Sequence, residues 1–277
     1  MPSRAERFLA VIGPAVRQAA SIARALEGRV PNRPKGGEDT AAKAALTLAD
    51  TAAQEAILVP LLEHFPQVSL LAEEDTPSVG RFPHQATESV VIDPIDGTLR
   101  CYLEAAGPYA VMVGFAVRDR FEAAIVALPR EGLYFEAVRG GEARRARPGG
   151  PLRSVRASPR AGRVLVSPEL PQPVAATLLE ADYDLALGCG GAIAVAPLIP
   201  GVQAGLRVAR GPEGVSVRGR IGALIATCAG ARVEDEHGAP FPETLSGPAR
   251  ALLVSSNERD RRALRQAAAA LEGYMPV

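Results

Sequence analysis

Two apolar runs in this chain end abruptly in acids, and those acids are where its sequence speaks of chemistry. Residues 90–98 read VVIDPIDGT, a strand-like apolar run entering Asp93 and Asp96, which are separated by Pro94 and Ile95. Asp-Pro and Asp-Gly both favour turns, so this run alone reads equally well as a structural corner. Residues 70–75, LLAEED, repeat the pattern and present Glu73, Glu74 and Asp75. Carboxylates placed at neighbouring strand ends repel one another and lose hydration, at a cost of several kcal/mol unless a cation neutralises them. Oxygen donors with no nearby His or Cys suit a hard ion such as Mg2+, with Mn2+ as a substitute, and argue against zinc or copper.

The surrounding elements explain how the acids would be held. Apolar residues recur at helical spacing over residues 5–26, with Pro14 as a candidate bend, and a second helix is expected over residues 50–64 with Asp50 at its start. Short strands over 68–72 and 90–92 would deliver the acids, and residues 109–138 alternate like an antiparallel meander. The arginine-rich stretch 139–163 is broken by Gly and Pro and reads as a solvated linker, or else as a lure for anionic substrate. Beyond it, strands near 164–166, 185–187 and 252–254 alternate with helices over 174–181, 191–198, 221–229 and 258–271. The expected fold class is thus an α+β N-terminal half, residues 1–150, carrying the acids, and an α/β half, residues 151–277, completing the pocket.

Composition narrows the function classes. A chain of 277 residues, 47% hydrophobic and 22% charged, has the make-up of a compact soluble protein with a substantial core. Its formal net charge of zero supplies no field for condensing onto nucleic acid. No run approaches the roughly 18 apolar residues of a membrane span, and charges scattered through the first helix argue against a signal peptide. Cys101, Cys189 and Cys228 are odd in number and far apart, which fits packing residues in a reducing cytoplasm. His64, His84 and His237 read as surface residues, and Glu234, Asp235 and Glu236 as a solvated hairpin.

The run DPIDGT, preceded about twenty residues earlier by EE after a strand, resembles the inositol monophosphatase-like phosphatases, a superfamily that includes fructose-1,6-bisphosphatase and 3'-phosphoadenosine 5'-phosphate phosphatase. LTLAD ending at Asp50, GGA at 190–192, GALIATCAGARVEDEHG from Gly222 and VSSN from Val254 extend the resemblance along most of the chain. It implies a layered α/β/α/β/α sandwich of the sugar-phosphatase type, a homodimer, and a small phosphorylated metabolite as partner. It further implies that Glu73, Asp93, the carbonyl of Ile95 and Asp96 ligate metal, and that Gly97 and Thr98 meet the phosphate. Thr98 paired with Glu73 would orient the attacking water, Asp50 would help hold a weaker ion, and Gly190, Gly191 and Ala192 would contact substrate. The implied reaction is in-line attack of water on phosphorus, without a phosphoenzyme.

One departure is large. The family's Trp-Asp pair before the helix near Ile221 supplies a second metal ligand, whereas here Val217 and Arg218 stand in those places and the chain has no tryptophan. Three readings compete: Glu213 supplies the carboxylate from a displaced loop; Arg218 replaces the second metal and binds substrate through its fixed positive charge; or the protein is a weakened or non-catalytic paralogue that binds phosphorylated ligands. Gly211 occupies the approximate place of an acid that binds inositol, and LRCYL follows DPIDGT where a polar-aromatic pair is usual, so the substrate stays open among inositol phosphates, sugar phosphates and phosphonucleotides. A haloacid-dehalogenase-type phosphatase also uses aspartate and D-G-T, but needs its two acids two residues apart, and Asp93 and Asp96 are three apart.

Overall fold

The computed structural model describes residues 2–38, 40–209 and 213–271. These form seven α-helices: α1 (Arg4–Leu26), α2 (Ala41–Ala44), α3 (Leu48–His64), α4 (Gln172–Glu180), α5 (Gly190–Ala194), α6 (Ile221–Cys228) and α7 (Glu258–Ala269). Seven strands make the first sheet in the order β1 (Ser69–Leu71), β2 (Glu88–Asp96), β3 (Ala110–Val117), β4 (Arg120–Leu128), β5 (Leu133–Val138), β6 (Arg144–Ala146) and β7 (Arg153–Ser154). The second sheet joins β8 (Arg163–Val166), β9 (Leu185–Leu187), β10 (Val202–Val208), β11 (Arg232–Glu234) and β12 (Ala251–Ser255) in the order β11-β12-β10-β8-β9. Helices α1 and α3 cover one face of the first sheet, α5 and α6 fill the space between the sheets, and α4 and α7 cover the outer face of the second. The architecture is the expected layered α/β/α/β/α sandwich.

Local chemistry explains the main elements. Helix α1 starts in a reciprocal cap: the Glu6 amide donates to Ser3 Oγ (3.1 Å) and the Ser3 amide to Glu6 Oε2 (2.6 Å). Its buried stripe, Phe8, Ile12, Val16, Ala19 and Ala23, follows the helical period and packs with Ile57, Leu58 and Leu61 of α3 over the first sheet. The central strands are apolar on both faces because helices cover both, so β3 and β4 read as nearly continuous hydrophobic runs. Gly114 lets the layers close, since a Cβ there would lie 2.4 Å from the Phe121 ring and 3.1 Å from Ile221. Among the described residues no helix is long and apolar enough to cross a membrane.

Three expectations need correction. The stretch 139–163 is not simply a solvated linker: β6 and β7 within it extend the first sheet, Arg139 pairs with Glu122 and Glu243, and Arg144 with Glu136. Charged residues on an edge strand deter unwanted pairing, and that composition resembles a linker when read without the sheet. Glu234 is not solvated but buried, held by Arg261 at 2.7 Å; only Asp235 serves the turn, accepting from the His237 and Ala239 amides. The central strand β10, pairing with both β8 and β12, has no counterpart in the sequence expectations.

The turn that leads into α6, Arg218–Arg220, is anchored by a buried guanidinium. Arg220 donates to the carbonyls of Val215 (2.8 Å), Pro242 and Gly247 and lies over the Phe241 ring. Replacing it by Met removes those donors from buried carbonyls, and Arg220→Met is expected to lower stability by about 2–3 kcal/mol in urea denaturation.

Candidate functional site

The two aspartates of DPIDGT reach the same cavity because the strand that carries them is irregular. In β2 the pairing runs Asp93 to Met112 and then Asp96 to Ala110, so Pro94 and Ile95 together oppose one residue of β3. Residues three apart on a regular strand face opposite sides; the extra residue of this bulge turns Asp96 back to the side of Asp93. Proline fits there because a bulge residue can dispense with an N–H. Strand β1 lies parallel to β2 with Leu71 opposite Val91, and continuing that register by two residues brings Glu73 level with Asp93.

Gln54 of α3 fixes the end of β1. Its buried amide donates to the Glu74 carbonyl (2.6 Å) and accepts from the Glu74 amide (3.1 Å), while the Glu74 carboxylate turns away to Lys35 (3.0 Å). Glu73 is therefore the acid left facing the cavity. The cavity measures about 290 Å³, and Glu73, Asp93, Asp96, Gly97, Thr98, Gly190 and Arg218 all line it. Asp50 and Ile95 lie behind that wall, whereas Gly191 and Ala192 do not reach it.

Behind the wall, Asp50 does two jobs at once. Its Oδ2 accepts from the Thr47 amide (2.7 Å) and hydroxyl (2.6 Å), which caps α3, and its Oδ1 lies 3.0 Å from Thr98 Oγ1. Thr98 Oγ1 is also 2.8 Å from the Ile95 carbonyl, so its single proton is shared between those two acceptors rather than directed at Glu73. Burial pushes the Asp50 carboxyl up from 3.8 to about 6, with the Glu73 charge adding to the rise.

Asp93 is pushed well above the ordinary carboxylate range, first by burial and then by the charges of Glu73 and Asp96, with Arg218 opposing. Asp93 Oδ1 and Glu73 Oε2 are buried with no hydrogen-bond partner. Arg218 Nε lies 3.7 Å from Asp93 Oδ2 and its Nη2 3.9 Å from Glu73 Oε1, so a guanidinium stands against two of the three acids. Asp96 Oδ2 accepts from the Gly191 amide at 2.6 Å. Among the described residues no three His, Cys, Asp or Glu side chains are gathered into a ready metal-binding group. The donor chemistry still suits a hard cation: two orphaned carboxylate oxygens and a third acid share one cavity.

Of the two glycine motifs, the first is a steric necessity. Gly97 has φ 86°, and a Cβ on it would meet Cys189 at 2.9 Å and Cys101 at 3.1 Å. Gly190 lies under Arg207, whose Nη1 would be 1.4 Å from a Cβ, and Gly191 packs against Met112 and Ala110. Burial raises the Cys101 thiol to about 12 and Cys189 upward as well, so both pack rather than react. Glu213 is exposed and does not line the cavity, which removes it as the missing carboxylate; Gly211 lies outside the described residues. Sequence reasoning missed Gln54 and Arg207. The run VQAGLRV, which forms β10 and carries Arg207, was the available signal for the second.

A layered sandwich of this kind has clear structural counterparts. The Thermotoga maritima IMPase superposes with a TM-score of 0.72 at 17% identity, covering 94% of this chain and 96% of that one. An IMPase/NADP phosphatase complexed with Mg2+ and phosphate superposes at 0.70 with 16% identity, covering 95% of each. Residues 8–178, more than half of the chain, match the model of the inositol monophosphatase family, and the chain belongs to that family. Human inositol monophosphatase 2 is 31% identical over 137 residues, which is 49% of this chain and 45% of that protein. The curated relatives are thus matched over less than half of their own length, between 34% and 45%.

The elevation of Asp50 fixes a pH signature. A carboxyl that titrates near 6 when folded and near 3.8 when unfolded holds a proton in the folded chain alone between those values, so its favourable contribution is complete below 3.8 and lost as pH rises through 6. Asp50→Asn keeps an acceptor for Thr47 and removes the buried charge. The variant is expected to gain about 2 kcal/mol over wild type at pH 8, with the gain vanishing by pH 4, as read from melting curves across that range.

Proposed function

We propose that this protein hydrolyses a small phosphate monoester, an inositol phosphate, sugar phosphate or phosphonucleotide, with the help of Mg2+, for which Mn2+ can substitute. The observation that carries this reading is the pair of buried, unpartnered oxygens of Glu73 and Asp93 on a cavity shared with Asp96 and Thr98. Burying such oxygens without compensation is costly, and a cation held by Glu73, Asp93, Asp96 and the Ile95 carbonyl would relieve that cost. Such an ion, when bound, supplies acidification of a water and neutralisation of phosphate charge.

The chain's own groups account for the rest. Thr98 Oγ1, with its proton committed to Asp50 and Ile95, offers a lone pair to a water, and Glu73 fixes that water from the other side. Attack forms a new bond from the water oxygen to phosphorus as the ester P–O bond breaks in line; the departing oxygen takes a proton from solvent and leaves as the alcohol, with inorganic phosphate as the other product. Asp50, ionised at pH 7 and above, is the base to which the Thr98 proton can shift as the water loses its own. Arg218 lies where it can both screen Asp93 and Glu73 and donate to phosphate oxygens, replacing part of what a second ion does. Its distances of 3.7 and 3.9 Å are long for tight ion pairs, which leaves donors for a ligand.

The same arginine favours the second reading, a weakened or non-catalytic paralogue that binds phosphorylated ligands, because a guanidinium against the acids competes with metal. We place the active protein in a reducing cytoplasm, in keeping with its free cysteines, and as a homodimer, which its mass in solution tests.

Phosphate release from a panel of phosphomonoesters with Mg2+ is the direct assay. Asp93→Asn and Glu73→Gln are expected to lose at least about 100-fold in kcat/KM while remaining folded, a scale set by removing a charge that acts on the transition state. Arg218→Asp separates the two readings when bound metal is counted alongside. Loss of activity supports Arg218 as a working cation, whereas a large rise together with a gained ion supports the weakened paralogue.

A further inference from the structure

Arg207 is a charged group in the cavity that the proposed hydrolysis does not use. It lies on β10 and lines the cavity with Arg218. Its Nη1 is buried and makes no hydrogen bond, and among the described residues it has no ion-pair partner. A buried guanidinium nitrogen without an acceptor is costly, and such groups ordinarily mark a place where an anion belongs.

The guanidinium also fills a defined space. It rests between two glycines, since a Cβ on Gly190 would lie 1.4 Å from Nη1 and one on Gly219 2.5 Å from it. A side chain at either position would take up space the guanidinium now fills, so the two glycines leave room for one planar cation. Two hydroxyls besides that of Thr98 share the cavity. Ser167 Oγ accepts from the Val208 amide (3.1 Å) and Ser216 Oγ from the Gly219 amide (3.4 Å), which leaves each hydroxyl proton free to be donated. Gly190 touches Arg207 while its neighbour Gly191 donates to Asp96, so a single turn separates this cationic slot from the acid cluster.

We propose that Arg207, with Ser167 and Ser216, forms a second anion subsite, so that the preferred ligand is a small phosphate ester carrying a further oxyanion group, a phosphate or a carboxylate, beside the phosphate that is cleaved. This rests on the hydrolase reading for which phosphate is cleaved, but not for the binding itself. A guanidinium recognises either oxyanion through paired N–H donors, whereas a sugar hydroxyl would leave its charge unanswered. Arg207 adds to the positive charge that Lys43, Arg100 and Arg218 bring to the acid-rich cavity, so that it can hold a dianionic ligand.

Calorimetric titration in Mg2+ tests it with matched probes: glucose 1-phosphate against glucose 1,6-bisphosphate for the phosphate arm, and glycerol 3-phosphate against 3-phosphoglycerate for the carboxylate arm. In the wild type at least one doubly anionic probe is expected to bind about 10-fold or more tightly than its partner, the scale of one charge-assisted pair. Arg207→Met should abolish that preference and leave the singly anionic probes unchanged, with Arg207→Lys keeping part of it. Should Arg207→Met fold poorly, Ser216→Ala is expected to reduce the same preference severalfold. Equal binding of both members of each pair to the wild type overturns the subsite. So does a variant at Arg207 that weakens all probes alike, because that is the mark of a purely structural role. Phosphate release measured on the same samples keeps the two proposals apart: selective binding without release sinks the hydrolase reading and leaves the subsite standing.

Discussion

Mutual repulsion among Glu73, Asp93 and Asp96 is the constraint around which the rest of the site is built. Three carboxylates facing one cavity, with Asp93 buried, cannot all ionise without a compensating positive charge, and the rise in the Asp93 carboxyl is the direct expression of that strain. The surrounding structure answers with several devices of different strength. Arg218 contributes a nearby full charge and the Gly191 amide a short hydrogen bond to Asp96, while one oxygen each of Asp93 and Glu73 stays without a partner. Stability and the proposed hydrolysis pull apart here, because neutralising any one acid relaxes the repulsion while removing a group that reaction would use.

Much of this was legible from residue order alone. VVIDPIDGT is a strand ending in acids because a strand buried on both faces must be apolar until the point where the chain leaves the core, and LLAEED runs parallel to it as the edge strand. The capping pair Thr47 and Asp50 also carries a local signature, and α3 begins within two residues of its expected start. What stayed hidden depends on tertiary contact. Thr98 and Asp50 are forty-eight positions apart, and nothing local indicates that Thr98 meets Asp50 and not Glu73. Gln54 reads as an ordinary polar helix residue until the exposed end of β1 is laid against it.

Strand β10 was missed for a physical reason. Gly205 in its middle weakens the strand signal, yet only glycine fits, since a Cβ there would lie 2.3 Å from the Ile193 carbonyl. Close packing of α5 on the second sheet overrides propensity, and Arg207 went unnoticed with the strand that bears it. The arginines of residues 144–154 failed in the opposite direction, because charge on an edge strand and charge in a linker are indistinguishable before the sheet is assembled.

The bulge at Pro94 and Ile95 carries a consequence for how this chain can vary over time. Losing either residue would erase the bulge and leave the aspartates two apart on a regular strand, still on one face, but without the backbone excursion that brings the Ile95 carbonyl to Thr98. Variation at that point is therefore constrained by the carbonyl the bulge presents, not by the side to which the acids point.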